Sequence, residues 1–413
     1  MPAASFPADF LWGVATAGHQ NEGDNVDSDT WFLENVTPTI FQDRSGKAAN
    51  GWELWESDLD LVAGMDLNAY RFSVEWARIE PVEGQFSEEA LAHYEALVDG
   101  CLARGLAPIV TFNHFTSPHW FAARGAWLNP ESASLFARYC GVVMDRFGDR
   151  IALAVTFNEP DLPEMLTWAE LPDFIADLER QTLEAAELAT GAERYRAGNV
   201  MLHEDFAGMR AGMTAAHTAG KAAIKDRRAD LRVGLSLAMC DDVAAPGGEE
   251  VRDRKRAEVY DYWLRLARED DFVGVQNYER LYYGPDGLLP AEPGAVVNGM
   301  GTAVDPASLR GAVEYAYEIS GVPILVSEHG VSTPDDSIRA DFLSPSLDGL
   351  AQAIAGGVPV LGYCHWTLMD NFEWIFGYTP KLGLHEVDRE TFERTAKPSA
   401  GVYAGLVRDA RGL

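Results

Sequence analysis

Cysteine and basic residues are both scarce in this chain. Only four cysteines occur among 413 residues, and they form neither C-x-x-C pairs nor a dense framework. Free thiols in a reducing compartment are therefore expected. The 33 basic residues face 64 acidic ones, which gives a formal net charge of −31. This balance argues against binding to nucleic acid or to anionic membranes, because both are attracted by broad positive patches on a protein.

Long apolar runs and linker-like segments are missing as well. No segment approaches 18 uninterrupted apolar residues, and the first seven residues contain neither a basic region nor an apolar leader. We therefore expect a cytoplasmic protein. No Gly/Ser linker, low-complexity tract or clear repeat divides the sequence, so we expect one domain over residues 1–413.

Short apolar runs alternate with longer segments of helical period along the whole chain. Eight runs qualify as strands: Phe10–Thr16, Asn68–Val74, Ala107–Phe115, Leu153–Glu159, Arg232–Met239, Phe272–Tyr278, Pro323–Glu328 and Val360–Thr367. This alternation is typical of a parallel sheet covered by helices. Eight strands joined by right-handed crossovers predict an α/β fold, a closed (β/α)₈ TIM barrel.

Two of these apolar runs end in a glutamate. The fourth ends in Asn158-Glu159-Pro160, and the seventh ends in Ser327-Glu328. A carboxylate is rarely buried without a partner or a task. Because the carboxyl ends of barrel strands form one face, the fold would bring Glu159 and Glu328 to the same site.

The other strand ends are rich in amides, carboxylates and tryptophan. The set comprises Gln20, Arg71, Glu75, Asn113, His114, Gln276, Asn277, Tyr278, Trp366, Glu373 and Trp374. Amides and carboxylates bind vicinal hydroxyls, and indole faces stack on sugar rings, so the set suits a neutral polyhydroxylated ligand. A carboxylate pair in such a site indicates glycoside hydrolysis.

The surroundings of the two glutamates differ along the sequence. Glu159 follows apolar residues and an amide, which favours a raised pKa and the role of an acid. Glu328 would need to be ionised, and Arg71 with Tyr278 could supply a positive charge and a hydroxyl donor to it. Sequence alone leaves that pairing open.

Four motifs carry a family resemblance that spans almost the whole chain. They are FPADFLWGVAT at Phe6–Thr16, NAYRFSVEWARIEP at Asn68–Pro81, TFNEP at Thr156–Pro160 and HWTLMDNFEW at His365–Trp374. With these motifs, the chain resembles the retaining β-glycosidases of glycoside hydrolase family 1, the β-glucosidase and β-galactosidase group. The combination of the Asn-Glu-Pro and Asp-Asn-Phe-Glu-Trp strings on one barrel is highly specific.

The resemblance assigns roles to individual positions. It implies that Glu159 is the general acid/base, that Glu328 is the nucleophile, and that Arg71 and Tyr278 contact this nucleophile. It further implies a sugar subsite formed by Gln20, His114, Asn158, Trp366, Glu373 and Trp374. It implies that the protein needs no metal and no organic cofactor. It also implies that the substrate is a small-molecule β-glycoside.

Several positions depart from the family pattern. Phe115 stands where a tryptophan is usual, Gln276-Asn277-Tyr278 replaces Asn-Tyr-Tyr, and Leu382 replaces a phenylalanine. Glu373 is retained where 6-phospho-β-glycosidases lack it, which disfavours phosphorylated sugars. The stretches 160–191 and 241–271 look unlike the family's loops, so we expect an altered site for the aglycone, with Trp168 as the best candidate contact.

The resulting hypothesis is a double displacement that hydrolyses a terminal β-linked sugar from a small-molecule or oligosaccharide aglycone. A glucoside is expected first, with a galactoside or fucoside as alternatives. Retention predicts catalytic carboxyl groups about 5–5.5 Å apart. A β-transglycosidase using the same residues and a catalytically silent sugar-binding barrel remain as alternatives, and the oligomeric state, including a homo-oligomer, stays open.

Overall fold

The computed structural model describes residues 6–169 and 171–413, apart from the side chain of Asp173. Eight parallel strands close into a barrel, each joined to its neighbours in chain order and the last joined to the first. The strands are Leu11–Ala15 (β1), Ala69–Ser73 (β2), Ala107–Asn113 (β3), Leu153–Asn158 (β4), Arg232–Ala238 (β5), Phe272–Asn277 (β6), Ile324–His329 (β7) and Val360–Trp366 (β8). The (β/α)₈ barrel and its eight strands are thereby confirmed.

Helices follow each strand and cover the outside of the barrel. They are Gly51–Gly64, Glu88–Ala103, Ser132–Phe147, Phe206–Arg227, the pair Glu249–Val259 and Asp261–Leu266, Ser308–Ser320, Asp336–Ala355 and Pro398–Arg411. The second of these shows why helices begin where they do. The Ser87 hydroxyl accepts the Ala90 N–H, and Glu88 and Glu89 occupy the first turn, where carboxylates favour the helix dipole.

The segments between the barrel strands and the crossover helices contain further structure. Short helices occur at Gly18–Asn21, Asp29–Glu34, Trp76–Ile79, His119–Ala122 and Leu162–Leu166, and 3₁₀ turns at Ala126–Leu128, Gly148–Arg150, His203–Asp205, Ala267–Glu269 and Trp374–Phe376. Short strands occur at Asp241–Ala244, Arg280–Gly284, Gly287–Leu288, His385–Val387 and Arg394–Ala396. A long helix, Asp173–Thr190, follows β4 and was not predicted from the sequence.

The two-residue period of the strands separates two layers of core. In β2, Tyr70 and Phe72 pack outward against the helices, whereas Ala69 packs inward with Ile109 and Leu153. Arg71 lies two residues after Ala69 and therefore shares its inward face, nearer the carboxyl end. Inside the barrel, a layer of apolar side chains thus lies directly below the polar residues at the carboxyl ends of the strands.

None of the helices in the described part of the chain is both long enough and apolar enough to span a bilayer.

A buried ion pair joins the first crossover helix to the C-terminal region. Arg394 Nε and Nη2 donate to the two carboxylate oxygens of Asp58 over 2.7 and 3.0 Å, and the side chains are only 6% and 3% exposed. Replacing Asp58 with Ala leaves the guanidinium buried without its counter-charge. We expect the free energy of unfolding to fall by about 3–5 kcal/mol, as measured by urea denaturation.

The paired variant and an exposed pair serve as controls. Adding Arg394→Met to Asp58→Ala should restore much of the lost stability, because the unpaired charge is then gone. The exposed pair of Lys47 and Asp24, at 3.0 Å, should contribute less than about 1 kcal/mol. Equal losses for the buried and the exposed pair would contradict the assignment.

Candidate active site

Glu328, at the carboxyl end of β7, has both carboxylate oxygens held by donors. Arg71 Nη1 donates to Oε1 over 2.5 Å, and the Tyr278 hydroxyl donates to Oε2 over 2.6 Å. The Glu328 side chain is 4% exposed and the Arg71 side chain is fully buried. Charge-assisted hydrogen bonds of this kind fix a carboxylate in one orientation and favour its ionised form.

Arg71, on β2, is held by residues of three other strands. Its Nη2 donates to Asn158 Oδ1 over 2.6 Å, its Nε donates to the Thr111 hydroxyl over 3.2 Å, and its Nη1 also reaches the Ser327 carbonyl. Thr111 and Ser327 were not singled out from the sequence, although the period of two places Thr111 on the inward face of β3. The guanidinium therefore links β2, β3, β4 and β7 around one point.

Asn158 is fixed by a second amide. Gln276 Nε2 donates to the same Asn158 Oδ1 over 2.5 Å and to the Ser236 hydroxyl over 3.0 Å. With two donors on its oxygen, Asn158 keeps its NH₂ group without a partner among the described residues. Gln276, which stands where the family pattern has an asparagine, thus contacts Asn158 directly.

Glu159 follows the last residue of β4 in a left-handed backbone conformation. Its φ is +45°, and its backbone N–H donates to the Ser236 carbonyl over 2.7 Å. Pro160 behind it cannot donate to a sheet ladder, so the strand ends here. This turn carries the Glu159 side chain off the strand, and the residue is partly exposed.

The pKa values of the two glutamates are raised for different reasons. Burial raises the pKa of Glu159 well above its ordinary value, and the negative charges of Glu328 and Asp161 raise it further. Burial also raises the pKa of Glu328, but the charge of Arg71 and the hydrogen bond from Tyr278 oppose that rise. Because Glu328 accepts hydrogen bonds from Arg71 and Tyr278, the ionised form is favoured at Glu328 over Glu159.

The other predicted binding residues surround the same pocket. The indoles of Trp366 and Trp374 both lie nearly parallel to the imidazole of His114, with ring centres 5.7 and 6.1 Å from it and interplanar angles of 15° and 13°. Gln20 Nε2 donates to the Phe372 carbonyl over 2.8 Å, which ties the loop after β1 to the loop after β8. All ten predicted site residues thus lie in one cluster of strand ends and loops.

Several buried polar atoms of this cluster have no hydrogen-bond partner within residues 6–169 and 171–413. They are Gln20 Oε1, His114 Nδ1, Asn158 Nδ2, Gln276 Oε1 and Glu373 Oε1. Buried polar groups are normally paired, so a group of unpaired atoms in one pocket indicates a ligand with several hydroxyls. The mixture of donors and acceptors matches hydroxyl groups, which can act as either.

Glu373 is the third carboxyl of the pocket. Burial and the charge of Glu328 raise its pKa to about 8, against partial opposition from hydrogen bonds with Trp366 and Gln20. At neutral pH Glu373 is therefore largely protonated and can both donate and accept hydrogen bonds.

Trp168, the residue predicted to contact the aglycone, lies beside a helix that follows β5. The indole N–H of Trp168 donates to Glu258 over 3.1 Å, and the Arg254 guanidinium lies 5.3 Å from its ring. Trp168 therefore packs against the helix Glu249–Val259. A cavity nearby is lined by other residues of the loop after β4, which sequence analysis did not identify.

Comparisons with known proteins agree with this geometry. The sequence model of glycosyl hydrolase family 1 matches residues 3–193 and 289–411. The unmatched part includes 241–271, which was expected to be atypical, whereas 160–191 lies within the match. A β-glucosidase of Agrobacterium sp. is 33% identical over 98% of this chain and 95% of its own length.

Two further relatives extend the comparison. A bifunctional β-D-glucosidase/β-D-fucosidase of Bifidobacterium breve is 30% identical, with 98% of both chains covered. The crystal structure of the β-glycosidase BGL167 superimposes with a TM-score of 0.92 at 45% identity, covering 98% of this chain and 97% of that one. The chain therefore belongs to glycosyl hydrolase family 1 and is a glycosidase.

Proposed function

We propose that the chain is a retaining β-glycosidase in which Glu328 is the nucleophile and Glu159 is the general acid/base. The observation that carries this assignment is the asymmetry between the two carboxyls. Glu328 is oriented by donors on both oxygens, whereas burial and negative neighbours keep the proton on Glu159. A nucleophile must be ionised and oriented, and an acid must be protonated.

The reaction follows from these two states. A Glu328 oxygen bonds to the anomeric carbon while the bond to the glycosidic oxygen breaks, and Glu159 gives its proton to the departing oxygen. Glu159 then takes a proton from water, whose oxygen attacks the anomeric carbon and releases Glu328. Two inversions at one carbon leave the β configuration unchanged.

The remaining residues are proposed to bind the sugar. The unpaired atoms of Gln20, His114, Asn158 and Glu373 supply donors and acceptors for its hydroxyls. The indoles of Trp366 and Trp374 provide apolar faces for the C–H side of the ring. Arg71 and Tyr278 position Glu328 and stabilise its negative charge.

A β-glucoside is the proposed first substrate. The relatives from Agrobacterium and B. breve bear the names β-glucosidase and β-D-glucosidase/β-D-fucosidase. We therefore place the fucoside next, and a galactoside remains an alternative because Gln20 and Glu373 can bind either epimer at C4. The presence of Glu373, which the 6-phospho-β-glycosidases lack, supports an unphosphorylated sugar.

A panel of p-nitrophenyl β-glycosides tests this proposal. We expect turnover of the glucoside, fucoside or galactoside and none of the 6-phosphoglucoside. Proton NMR at early times should show the β-anomer of the released sugar before mutarotation. Appearance of the α-anomer first would refute Glu328 as nucleophile, and absence of turnover on the whole panel would favour the silent sugar-binding barrel.

A further inference from the structure

Asp161 is a fully buried carboxyl two residues after the acid/base, and it takes no part in the reaction described above. It follows Pro160 and is the N-cap residue of the short helix Leu162–Leu166. An aspartate at an N-cap normally accepts an N–H from the first turn of its own helix. The Asp161 side chain makes no such bond, so helix capping does not explain its presence here.

The carboxylate of Asp161 is bound to the end of β5 instead. Its Oδ1 accepts the Ala238 N–H over 3.0 Å, and Ala238 is the last residue of that strand. Two residues earlier, the Ser236 carbonyl accepts the Glu159 N–H over 2.7 Å. Because backbone groups two residues apart in a strand face the same neighbour, the Ala238 N–H also faces β4. As β4 has already ended at Asn158, the Asp161 side chain supplies the acceptor that the strand no longer offers.

This hydrogen bond helps to hold the turn that carries Glu159. The Leu162 N–H donates to the Glu159 carbonyl over 3.1 Å and closes the turn. The Glu159 N–H attaches one end of the turn to β5, and the Asp161 carboxylate attaches the other end. The left-handed conformation of Glu159, with a φ of +45°, is thus fixed from both sides.

The second carboxylate oxygen of Asp161 is buried and has no hydrogen-bond partner among the described residues. Burial raises the pKa of Asp161 well above its ordinary value, and the charge of Glu164 raises it further. The Ala238 N–H and the positive charge of Lys255 oppose that rise, because both favour the ionised carboxylate. A buried carboxylate with one free oxygen is unfavourable for stability, and such costs persist where a function requires them.

Charged groups from several parts of the barrel act on Glu159. Glu328 on β7, Asp161 and Glu373 after β8 all raise its pKa, whereas Arg71 on β2 lowers it. Arg71 is already bound to Glu328, and Glu373 is part of the sugar pocket. Asp161 differs from these groups because the turn that carries Glu159 also fixes Asp161 in place.

We propose that Asp161 is a positioning residue for the acid/base. Its carboxylate attaches the Glu159 turn to β5, and its negative charge keeps Glu159 in the protonated form that can act as an acid. The proposal rests on the role of Glu159 given above and requires no contact between Asp161 and the substrate.

Asp161→Asn separates the charge from the hydrogen bond, because asparagine keeps an acceptor for the Ala238 N–H. Without the neighbouring negative charge, Glu159 loses its proton more easily and its pKa falls. We expect the alkaline limb of kcat/KM for an alkyl β-glycoside to move down by about 1 pH unit. Above that limb, kcat/KM should be about 10-fold lower than in the wild type, whereas below it the two enzymes should be nearly equal.

A second substrate and a second variant are the matched controls. A dinitrophenyl glycoside departs without a proton, so Asp161→Asn should leave its pH profile of kcat/KM unchanged. Glu164→Gln removes an acid of the adjoining helix, which is paired with Arg210 over 3.5 Å. Because the loss of Glu164 lowers the pKa of Asp161 and so leaves it ionised, the alkaline limb should stay in place.

Thermal unfolding shows whether the variants keep the fold. If Asp161→Asn is too unstable to assay, Asp161→Ser also removes the charge and keeps a hydroxyl acceptor, and it should show the same shift. A purely structural residue would instead lower kcat/KM equally at every pH and on both substrates. That result would overturn the proposal, and so would an alkaline limb that does not move in either variant.

The outcomes also separate this proposal from the proposed function. An unmoved alkaline limb in Asp161→Asn, together with loss of that limb in Glu159→Ala, would overturn the role of Asp161 and leave Glu159 as the acid/base. An alkaline limb that persists in Glu159→Ala would contradict the acid/base assignment itself. A downward shift for the alkyl substrate alone would support both.

Discussion

Replacement of Glu328 with Gly is expected to lower kcat for an aryl β-glycoside on the order of 10⁵-fold. The variant removes the carboxylate that both Arg71 and Tyr278 hold in place, so the first displacement has no nucleophile. Added azide or formate should restore part of the rate, because a small anion can enter the vacated space beside the guanidinium. With azide, the product should be the α-glycosyl azide, since a single displacement inverts the anomeric carbon.

Glu328→Gln is the matched control for this experiment. It keeps the volume of the side chain and should be about as inactive, but its amide leaves no space for azide and should prevent rescue. Both variants should be compared with wild type in thermal unfolding, because removing a buried carboxylate leaves Arg71 without its counter-charge. Wild-type activity in Glu328→Gly, or equal rescue of both variants, would refute the nucleophile role.

Replacement of Glu159 with Ala should slow the first step according to the leaving group. For alkyl glycosides, whose leaving oxygen needs a proton, we expect kcat/KM to fall by about 10²–10⁴-fold. For a dinitrophenyl glycoside, whose leaving group departs unprotonated, kcat/KM should change little. The second step lacks its base in either case, so kcat should fall and azide should yield the β-glycosyl azide.

The same variant has a signature in the pH profile. Wild-type activity requires protonated Glu159 and ionised Glu328, and both pKa values are raised from 4.5. Activity should therefore be lost as the pH falls through the pKa of Glu328 and as it rises through the higher pKa of Glu159. Glu159→Ala should abolish the alkaline limb and keep the acidic limb, and an unchanged bell-shaped profile would contradict the assignment.

The sequence predicted the barrel well because each strand is a short apolar run bounded by turns. It predicted the convergence of Glu159 and Glu328 for the same reason, since barrel closure alone brings the ends of β4 and β7 to one face. It could not predict that Gln276 would donate to Asn158. The two residues are 118 positions apart in sequence, and their contact depends on how β4 and β6 are staggered in the barrel.

The loops were the harder part. The helix Asp173–Thr190 places Ile175, Leu178 and Leu183 at roughly helical spacing, so a periodicity signal existed, although residues 160–191 were noted only as a stretch unlike the family's loops. Trp168 was predicted to contact the aglycone, and nothing in the sequence indicated that its indole N–H would donate to Glu258, which lies 90 positions away on another helix. The sequence gives the chemical type of each loop side chain. The direction in which that side chain points depends on which distant element packs against the loop.

The left-handed backbone of Glu159 has an evolutionary consequence. A residue with a Cβ atom at φ +45° costs roughly 1–2 kcal/mol relative to glycine, so the native fold would gain stability from a glycine at this position. Selection for catalytic activity opposes the replacement of Glu159. In a lineage that keeps the barrel but no longer needs the reaction, this position should be among the first to change.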